Sequence, residues 1–290
     1  MLIKKELVPG VIVYRSEIKD LNSIIECIKN SISENVLTST WRQNGSIENQ
    51  IYQTDIHDSK ILKAKIENLQ HQQRYIFEQV QDLYYKIFQD YLIESKKENL
   101  LMPYIDKDKK IKENKNWYGV GLSVIIHKQT VSDDEKAWES LNNKRESNSD
   151  QLRLGWHVDA VESGVEPGEK HSITANFYLN DNYEGGRINF LYGNTIENIY
   201  DKSNLKIVCY KPLAGDIVVY PSMWPMAHSV SYSRGEDRYF FSSILKYHYD
   251  GSLGNDLKKN VMPYETSLNE YSYYVDKNDI QYINGKDFWV

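Results

Sequence analysis

Short runs of apolar and aromatic residues follow one another at close intervals between residues 152 and 247, and turn residues separate them. Turn signals include Asn180-Asp181-Asn182, Gly185-Gly186 and Ala214-Gly215-Asp216. Regular short strands of this kind predict a sandwich or jelly roll. The 23 tyrosines also favour sheet, because tyrosine packs well on strands. The predicted strands are residues 154–158, 172–179, 187–191, 206–210, 216–220, 228–232 and 238–247.

The first part of the chain predicts helices that brace such a sheet. A short strand is expected at residues 11–14, a helix at 19–32 and a longer helix at about 60–94, with apolar residues at helical spacing. Residues 33–59 read as irregular, and residues 118–127 as a buried strand. We therefore expect an α+β, mainly β fold in one domain: an N-terminal strand and supporting helices over residues 1–100, a double-stranded β-helix (jelly-roll) core over 117–248, and a C-terminal extension over 249–290.

Composition limits the classes of partner. The formal charge of −6 and the pI near 5.7 provide no broad attraction for phosphate backbones, so a nucleic-acid partner is disfavoured. Only Cys27 and Cys209 are present, without metal-type spacing, and this favours a reducing compartment. No apolar run is long enough for a membrane helix or a signal peptide. A cytoplasmic protein with small or peptidic substrates is expected, and its oligomeric state is left open.

Three separated residues have the chemistry of an iron site. His157 and Asp159 are two apart on a predicted strand, so their side chains project from the same face and can bind one ion. His228 begins another predicted strand after a bend at Pro221-Ser222. Two imidazoles and one carboxylate form a ligand set that leaves open positions on Fe(II) for oxygen chemistry. The alternative, a structural His and a turn Asp two apart by chance, is common when the pair stands alone.

Arg238 lies ten residues after His228 and is a candidate carboxylate-binding residue. A guanidinium offers a planar fork of donors that matches a carboxylate, and it stays charged in a partly apolar site. The alternative is an ordinary salt bridge after the turn at Gly235. Sequence alone leaves the face of Arg238 open, because a bulge in this hairpin would turn it outward.

Residues 117–247 resemble the iron(II)/2-oxoglutarate-dependent oxygenases, especially their prolyl 4-hydroxylase-like branch. The resemblance rests on His157-x-Asp159, on NFYLNDNYEGG at 176–186, on PLAGDIVVYPS at 212–222, and on His228-x-Val230 followed by Arg238-Tyr239. These pieces occur in the family's order. Two positions depart from the pattern: Gly235 lies three residues before the arginine instead of two, and Arg187 stands where an acidic residue is common. Arg187 suggests a local surface suited to an anionic substrate.

The resemblance implies that His157, Asp159 and His228 bind Fe(II), and that Arg238 binds the distal carboxylate of 2-oxoglutarate. The implied reaction consumes O2 and 2-oxoglutarate, with ascorbate as a candidate reductant, and oxidises an unactivated C–H bond by hydroxylation, desaturation or cyclisation. The aspartate argues against halogenation, because halogenating members leave that ligand position vacant. By strand position alone, further co-substrate contacts are expected from Tyr118, Ser123, Thr174 and Tyr178.

Three functions stay open at this level. The first is an oxygenase acting on a small molecule such as an amino acid or natural-product intermediate, and the second is a protein or peptide hydroxylase of the prolyl type. The third is a jelly-roll binding or structural protein whose histidines hold zinc or nothing. The polar residues 130–151, just before the metal motif, predict either a lid over the substrate or an idle insertion.

Overall fold

The computed structural model describes residues 2–33, 40–42, 50–54, 71–97, 117–127, 152–157, 171–193, 205–221, 226–231, 233–247, 275 and 277–290. Most of these residues form strands, which confirms the mainly β class. In chain order the strands are β1 (Ile3–Val8), β2 (Val11–Arg15), β3 (Thr40–Arg42), β4 (Gln50–Thr54), β5 (Trp117–His127), β6 (Leu152–His157), β7 (His171–Tyr178), β8 (Glu184–Gly185), β9 (Ile188–Tyr192), β10 (Lys206–Lys211), β11 (Asp216–Pro221), β12 (His228–Ser231), β13 (Ser233–Arg234), β14 (Arg238–Tyr247) and β15 (Ile280–Asn284).

The strands form two large sheets and one short pair. The first sheet has eight strands in the order β1-β2-β11-β7-β14-β5-β4-β3, the second has five in the order β15-β10-β9-β12-β6, and β8 pairs with β13. From β5 onward the chain crosses repeatedly between the large sheets: β5, β7, β11 and β14 belong to the first, and β6, β9, β10 and β12 to the second. Each of the seven strands predicted between residues 154 and 247 coincides with one of these.

Alternation along the strands gives the first sheet two buried faces. On one face, Tyr178 of β7 lies opposite Phe240 of β14, and both pack with residues of the second sheet such as Phe190. On the other face, Phe177 lies opposite Phe241, and both pack with helical residues. Because strand side chains alternate with period two, each strand contributes to both cores.

Two helices cover the outer face of the first sheet, as the sequence predicts. They are α1 (Leu21–Ser33) and α2 (His71–Lys97). Tyrosine hydroxyls attach α2 to the sheet: Tyr84 donates to the Phe241 carbonyl at 2.8 Å and accepts from the Phe177 amide at 3.2 Å. Tyr91 donates to the Gly10 carbonyl at 2.6 Å. Among the described helices, none is both long enough and apolar enough to cross a membrane.

The expectation of irregular structure for residues 33–59 is wrong for β3 and β4. These short antiparallel strands extend the first sheet beyond β5. Their sequences, Thr-Trp-Arg and Gln-Ile-Tyr-Gln-Thr, have too few apolar residues for a buried-strand pattern. Strands at a sheet edge keep one side in water and therefore need no continuous apolar run.

The end of the sequence also adds structure that the pattern does not predict. A 3-10 turn (Lys277–Asp279) leads into β15, which pairs in parallel with β10, and a short helix α3 (Gly285–Phe288) follows. The fully buried Asp216 side chain fixes this segment, since it accepts hydrogen bonds from Trp289 Nε1 at 2.9 Å and Tyr210 Oη at 2.7 Å and pairs with Arg15. A buried carboxylate needs partners of this kind to offset its lost hydration.

Candidate active site

The second sheet brings the two candidate histidine ligands together. His228 of β12 and His157 of β6 are direct partners across the antiparallel ladder. Directly opposite positions in such a ladder are close neighbours on one face of the sheet. The spacing from His228 to Val230 is matched by three residues of β6, from His157 back to Leu154, so β6 carries a bulge next to the site. Bulges of this kind re-aim side chains beside active sites.

The third predicted ligand, Asp159, lies outside the described residues. Within those residues, no group of three or more His, Cys, Asp or Glu side chains is placed to hold a metal ion. Of His157 the structure gives the strand position, whereas it gives the full surroundings of His228. The triad is therefore observed as one pair of strand positions and stays a prediction as a ligand set.

His228 is buried between the sheets among aromatic rings. Its side chain is 4% exposed, and its ring centroid lies 4.8 Å from that of Tyr220 and 6.3 Å from that of Phe190. The Tyr220 hydroxyl lies 3.3 Å from Nε2 of His228 and accepts a hydrogen bond from Asn176 Nδ2 at 3.1 Å. The Nε2 atom therefore faces the space between the sheets.

Arg238 is almost completely buried, at 1% exposure, in a box of aromatic rings. Its guanidinium carbon lies 5.0 Å from the ring centroid of Tyr178, 4.9 Å from that of Phe240 and 6.0 Å from that of Tyr183. One terminal nitrogen donates to the Gly186 carbonyl at 2.9 Å. The structure thus turns Arg238 inward, on the same face of β14 as Phe240, and resolves the orientation that the hairpin sequence left open.

The Arg238 guanidinium has no acidic partner in the part of the chain that the structure describes. The ion pairs found there involve Lys4, Arg15 and Lys29, and Arg238 Nε forms no hydrogen bond there. The buried hydroxyl of Tyr178 likewise has no hydrogen-bond partner at that geometry. A buried cation needs an anion to offset its lost hydration. The box is therefore chemically suited to a carboxylate that enters with a ligand.

Two nearby pKa shifts describe the electrostatics of the box. Burial raises the pKa of the Tyr178 hydroxyl, and the positive charge of Arg238 opposes that shift. Burial, followed by repulsion from Arg238, lowers the pKa of Lys211 to about 7. The Lys211 ammonium lies 3.1 Å from the Tyr183 ring centroid and donates to the Tyr183 carbonyl at 2.9 Å. The region favours negative charge and already holds one lysine close to losing its proton.

The other predicted co-substrate contacts come from the first sheet. Thr174 is buried at 2% exposure and lies opposite Tyr220 in the ladder, and Tyr178 adjoins Arg238. For Tyr118 and Ser123 the structure gives backbone pairing only, with Lys246 and Ser242 of β14 respectively.

Arg187 does not fit the expectation that it prepares the site for an anionic substrate. Its guanidinium carbon lies 5.5 Å from the ring centroid of Tyr282, a side chain that is 56% exposed. Strand alternation explains the difference, because the next residue, Ile188, belongs to the core between the sheets. Arg187 therefore lies on the opposite face of the second sheet.

Three residues of the site were missed from the sequence: Asn176, Tyr183 and Tyr220. The first two lie inside the motif at 176–186 and the third inside that at 212–222, so their position was noticed without a role. Alternation was the available signal, because Asn176 is two residues before Tyr178 and Tyr220 is on the same face as Val218. Tyr183 has no such signal, since it lies in a turn beside Gly186.

Two partnered histidine positions and a buried, unpaired arginine define a candidate site of the metal-dependent, carboxylate-binding class. Comparison with family models assigns that class: residues 146–246 match the 2OG-Fe(II) oxygenase superfamily. The chain belongs to this superfamily over that segment, and it is an enzyme that depends on Fe(II) and 2-oxoglutarate. This confirms the superfamily, enzyme and cofactor predictions. A comparison with curated protein sequences finds no match.

Solved structures with a similar arrangement are distant. An oxidoreductase of the 2OG-Fe(II) oxygenase family from Burkholderia pseudomallei has 11% identity and a TM-score of 0.40, with 78% of this chain and 80% of that chain covered. A prolyl hydroxylase from Trichoplax adhaerens, in complex with a hypoxia inducible factor peptide, has 12% identity and a TM-score of 0.42, with 84% and 85% covered. The epimerase SnoN from nogalamycin biosynthesis has 13% identity and a TM-score of 0.45, with 84% and 82% covered.

Proposed function

We propose that the protein is a cytoplasmic dioxygenase that oxidises an unactivated C–H bond of a small molecule. In this proposal His157, Asp159 and His228 hold Fe(II), and Arg238 binds the distal carboxylate of 2-oxoglutarate. The observation that carries it is the buried Arg238, without an acidic partner among the described residues, in the same inter-sheet core as His228. A zinc-binding or structural protein has no need for a desolvated, unpaired cation at that place.

The connectivity supports a double-stranded β-helix as the scaffold. Two four-stranded layers, β5-β14-β7-β11 and β6-β12-β9-β10, receive their strands alternately from the chain. Such crossing places β6 and β12, which carry the histidines, opposite β7 and β14, which carry the Arg238 box. The extra strands β1 to β4 and β15 then extend the two layers at their edges.

The residues fit iron and 2-oxoglutarate by their chemistry. Imidazole and carboxylate are suitable ligands for Fe(II), and a set of three leaves coordination positions for a co-substrate and oxygen. When bound, the iron and 2-oxoglutarate couple reduction of O2 to decarboxylation and so supply the oxidising power. Arg238 would orient 2-oxoglutarate through a charge-assisted hydrogen bond, with the Tyr178 hydroxyl as a second donor. The aromatic walls would exclude water from the reacting groups.

The enclosed position of the site favours a small-molecule substrate over a peptide. His228, Tyr220 and Arg238 are 4%, 1% and 1% exposed, although they would lie closest to the bound groups. A peptide hydroxylase needs an open groove that admits a whole main chain, whereas a small molecule fits an enclosed pocket. The proposed lid, residues 130–151, lies outside the described residues and is not used here. Two free, buried cysteines, Cys27 and Cys209, suit the reducing compartment that we propose.

The test combines binding with turnover. Anaerobic addition of Fe(II) and 2-oxoglutarate to the wild type should produce a metal-to-ligand absorption band, and admission of air should yield succinate even without substrate. His157→Ala and Asp159→Ala should each abolish both signals, whereas His71→Ala, at the start of α2, should keep them. A wild type that binds zinc but neither binds 2-oxoglutarate nor forms succinate would leave only the metal-binding or structural alternative.

A further inference from the structure

A chain of three polar side chains runs between the sheets and ends at the candidate metal ligand. Asn176 Nδ2 donates to the Tyr220 hydroxyl at 3.1 Å, and that hydroxyl lies 3.3 Å from Nε2 of His228. All three side chains are buried, at 7%, 1% and 4% exposure. Phe190 packs edge-on against Tyr220, with ring centroids 5.0 Å apart, and so fixes the plane of the phenol.

The direction of the hydrogen bonds determines the tautomer of His228. Because the Tyr220 oxygen already accepts a proton from Asn176, its own hydroxyl proton points to Nε2 of His228. A neutral imidazole accepts at one nitrogen and carries its proton on the other. Nε2 is then the nitrogen with the lone pair, and Nδ1 carries the proton. The Nε2 lone pair that faces the inter-sheet space is the one that a metal ion there would take.

We propose that Tyr220, oriented by Asn176, is a positioning residue that occupies the Nε2 lone pair of His228 in the metal-free protein and competes with the metal for it. This inference rests on the proposed function, in which His228 is a metal ligand. A buried imidazole nitrogen without a partner is costly, so the hydroxyl satisfies it until a metal arrives. Loading the metal must break this hydrogen bond.

Removal of the hydroxyl should therefore strengthen metal binding. One neutral hydrogen bond has a net value that corresponds to about a two- to tenfold change in an equilibrium constant. Tyr220→Phe should bind Mn(II), used as an air-stable probe, about two- to tenfold more tightly than the wild type. The same variant should melt at a lower temperature than the wild type without metal and gain more on metal addition. A merely structural tyrosine would lower both melting temperatures alike.

Further variants test the chain as a unit. Asn176→Leu removes the donor that orients Tyr220 and should strengthen Mn(II) binding by a smaller factor. In the Tyr220→Phe background the same change should add nothing, because the hydroxyl that Asn176 orients is gone. The matched control is Tyr84→Phe, which removes a buried tyrosine hydrogen bond on the helix-covered face of the first sheet and should leave the Mn(II) dissociation constant unchanged.

The measurement is a Mn(II) titration followed by electron paramagnetic resonance, with the full chain throughout. Equal or weaker binding by Tyr220→Phe would overturn the inference while leaving the metal site intact. Failure of the wild type to bind Mn(II) or Fe(II) would instead overturn the proposed function, and the inference with it.

A second measurement needs only the wild type. Nitrogen-15 NMR of the metal-free protein, with His228 assigned by comparison with His228→Gln, reports which ring nitrogen carries the proton when the imidazole is neutral. We expect an unprotonated Nε2. A proton on Nε2 would mean that the chain runs in the opposite direction, and it would refute the competition with metal.

Discussion

Replacement of Arg238 by methionine separates binding from folding. The change removes the charge and keeps a similar length of side chain. In the free protein, burial of the guanidinium costs several kcal/mol. Its hydrogen bond to Gly186 returns about 1.5–3 kcal/mol, and contact with aromatic faces adds about 0.5–2 kcal/mol per ring. These contributions nearly cancel, so Arg238→Met should change the free energy of unfolding without ligand by less than about 2 kcal/mol.

The effect on 2-oxoglutarate binding should be far larger. Loss of one partner of a buried charge pair costs about 2–5 kcal/mol, which weakens the dissociation constant by about thirtyfold to several thousandfold. The assay is anaerobic calorimetry with Mn(II) present and 2-oxoglutarate as the titrant, combined with thermal unfolding. At a concentration about a hundred times the dissociation constant, 2-oxoglutarate stabilises the wild type by about 2.7 kcal/mol. The variant should show none of this stabilisation.

The control is Arg187→Met, which removes a cation from the exposed side of the second sheet and should preserve binding. Two results would refute the reasoning. If Arg238→Met bound 2-oxoglutarate about as well as the wild type, the carboxylate would lie elsewhere. If the variant lost about 3–5 kcal/mol of stability without ligand, Arg238 would have a structural partner and no need of a co-substrate.

Two further predictions concern stability. Lys211 has a pKa of about 7 in the folded protein and an ordinary value of 10.5, so the unfolded chain binds more protons between these limits and stability should rise with pH across them. In urea titrations, Lys211→Met should therefore gain stability over the wild type near pH 7, and the gain should shrink as the pH approaches 10.5; a gain independent of pH would contradict this. Asp216→Asn should lose about 3–5 kcal/mol by chemical denaturation and release Trp289, seen as a change in tryptophan fluorescence, because partners of the buried carboxylate lose their acceptor. Exposed Asp287→Asn is its control, and an equal effect of the two changes would show that the buried network contributes nothing.

The strand order of the core could be predicted because its signals are local. Apolar runs of suitable length and turn residues such as Gly215, at a φ of 92°, mark where β11 begins, and the same holds for the other strands after residue 152. The mainly β class followed from these runs. β3, β4 and β15 were not predicted, since an edge strand is held by its neighbour's backbone and its own sequence carries little pattern.

The site was only partly predictable for a different reason. Its residue types and order identify His157, Asp159, His228 and Arg238 as candidates, and those properties are visible in one dimension. The inward face of Arg238 depends on the geometry of the turn at Gly235, and a shift of one residue would reverse it. The contact of Tyr220 with Asn176 depends on the register between β11 and β7, which pairs residues more than forty positions apart.

The parallel pairing of β15 with β10 has a consequence for biosynthesis. β10 ends at Lys211 and its partner begins at Ile280, so the ribosome must add the intervening residues before that side of β10 is covered. At about 5–20 residues per second, the wait is several seconds. During it, the backbone groups of Val208 and Tyr210 beside the catalytic layer are available to nascent chains on neighbouring ribosomes. Slower initiation or a lower growth temperature should therefore raise the yield of recombinant protein that stays in solution.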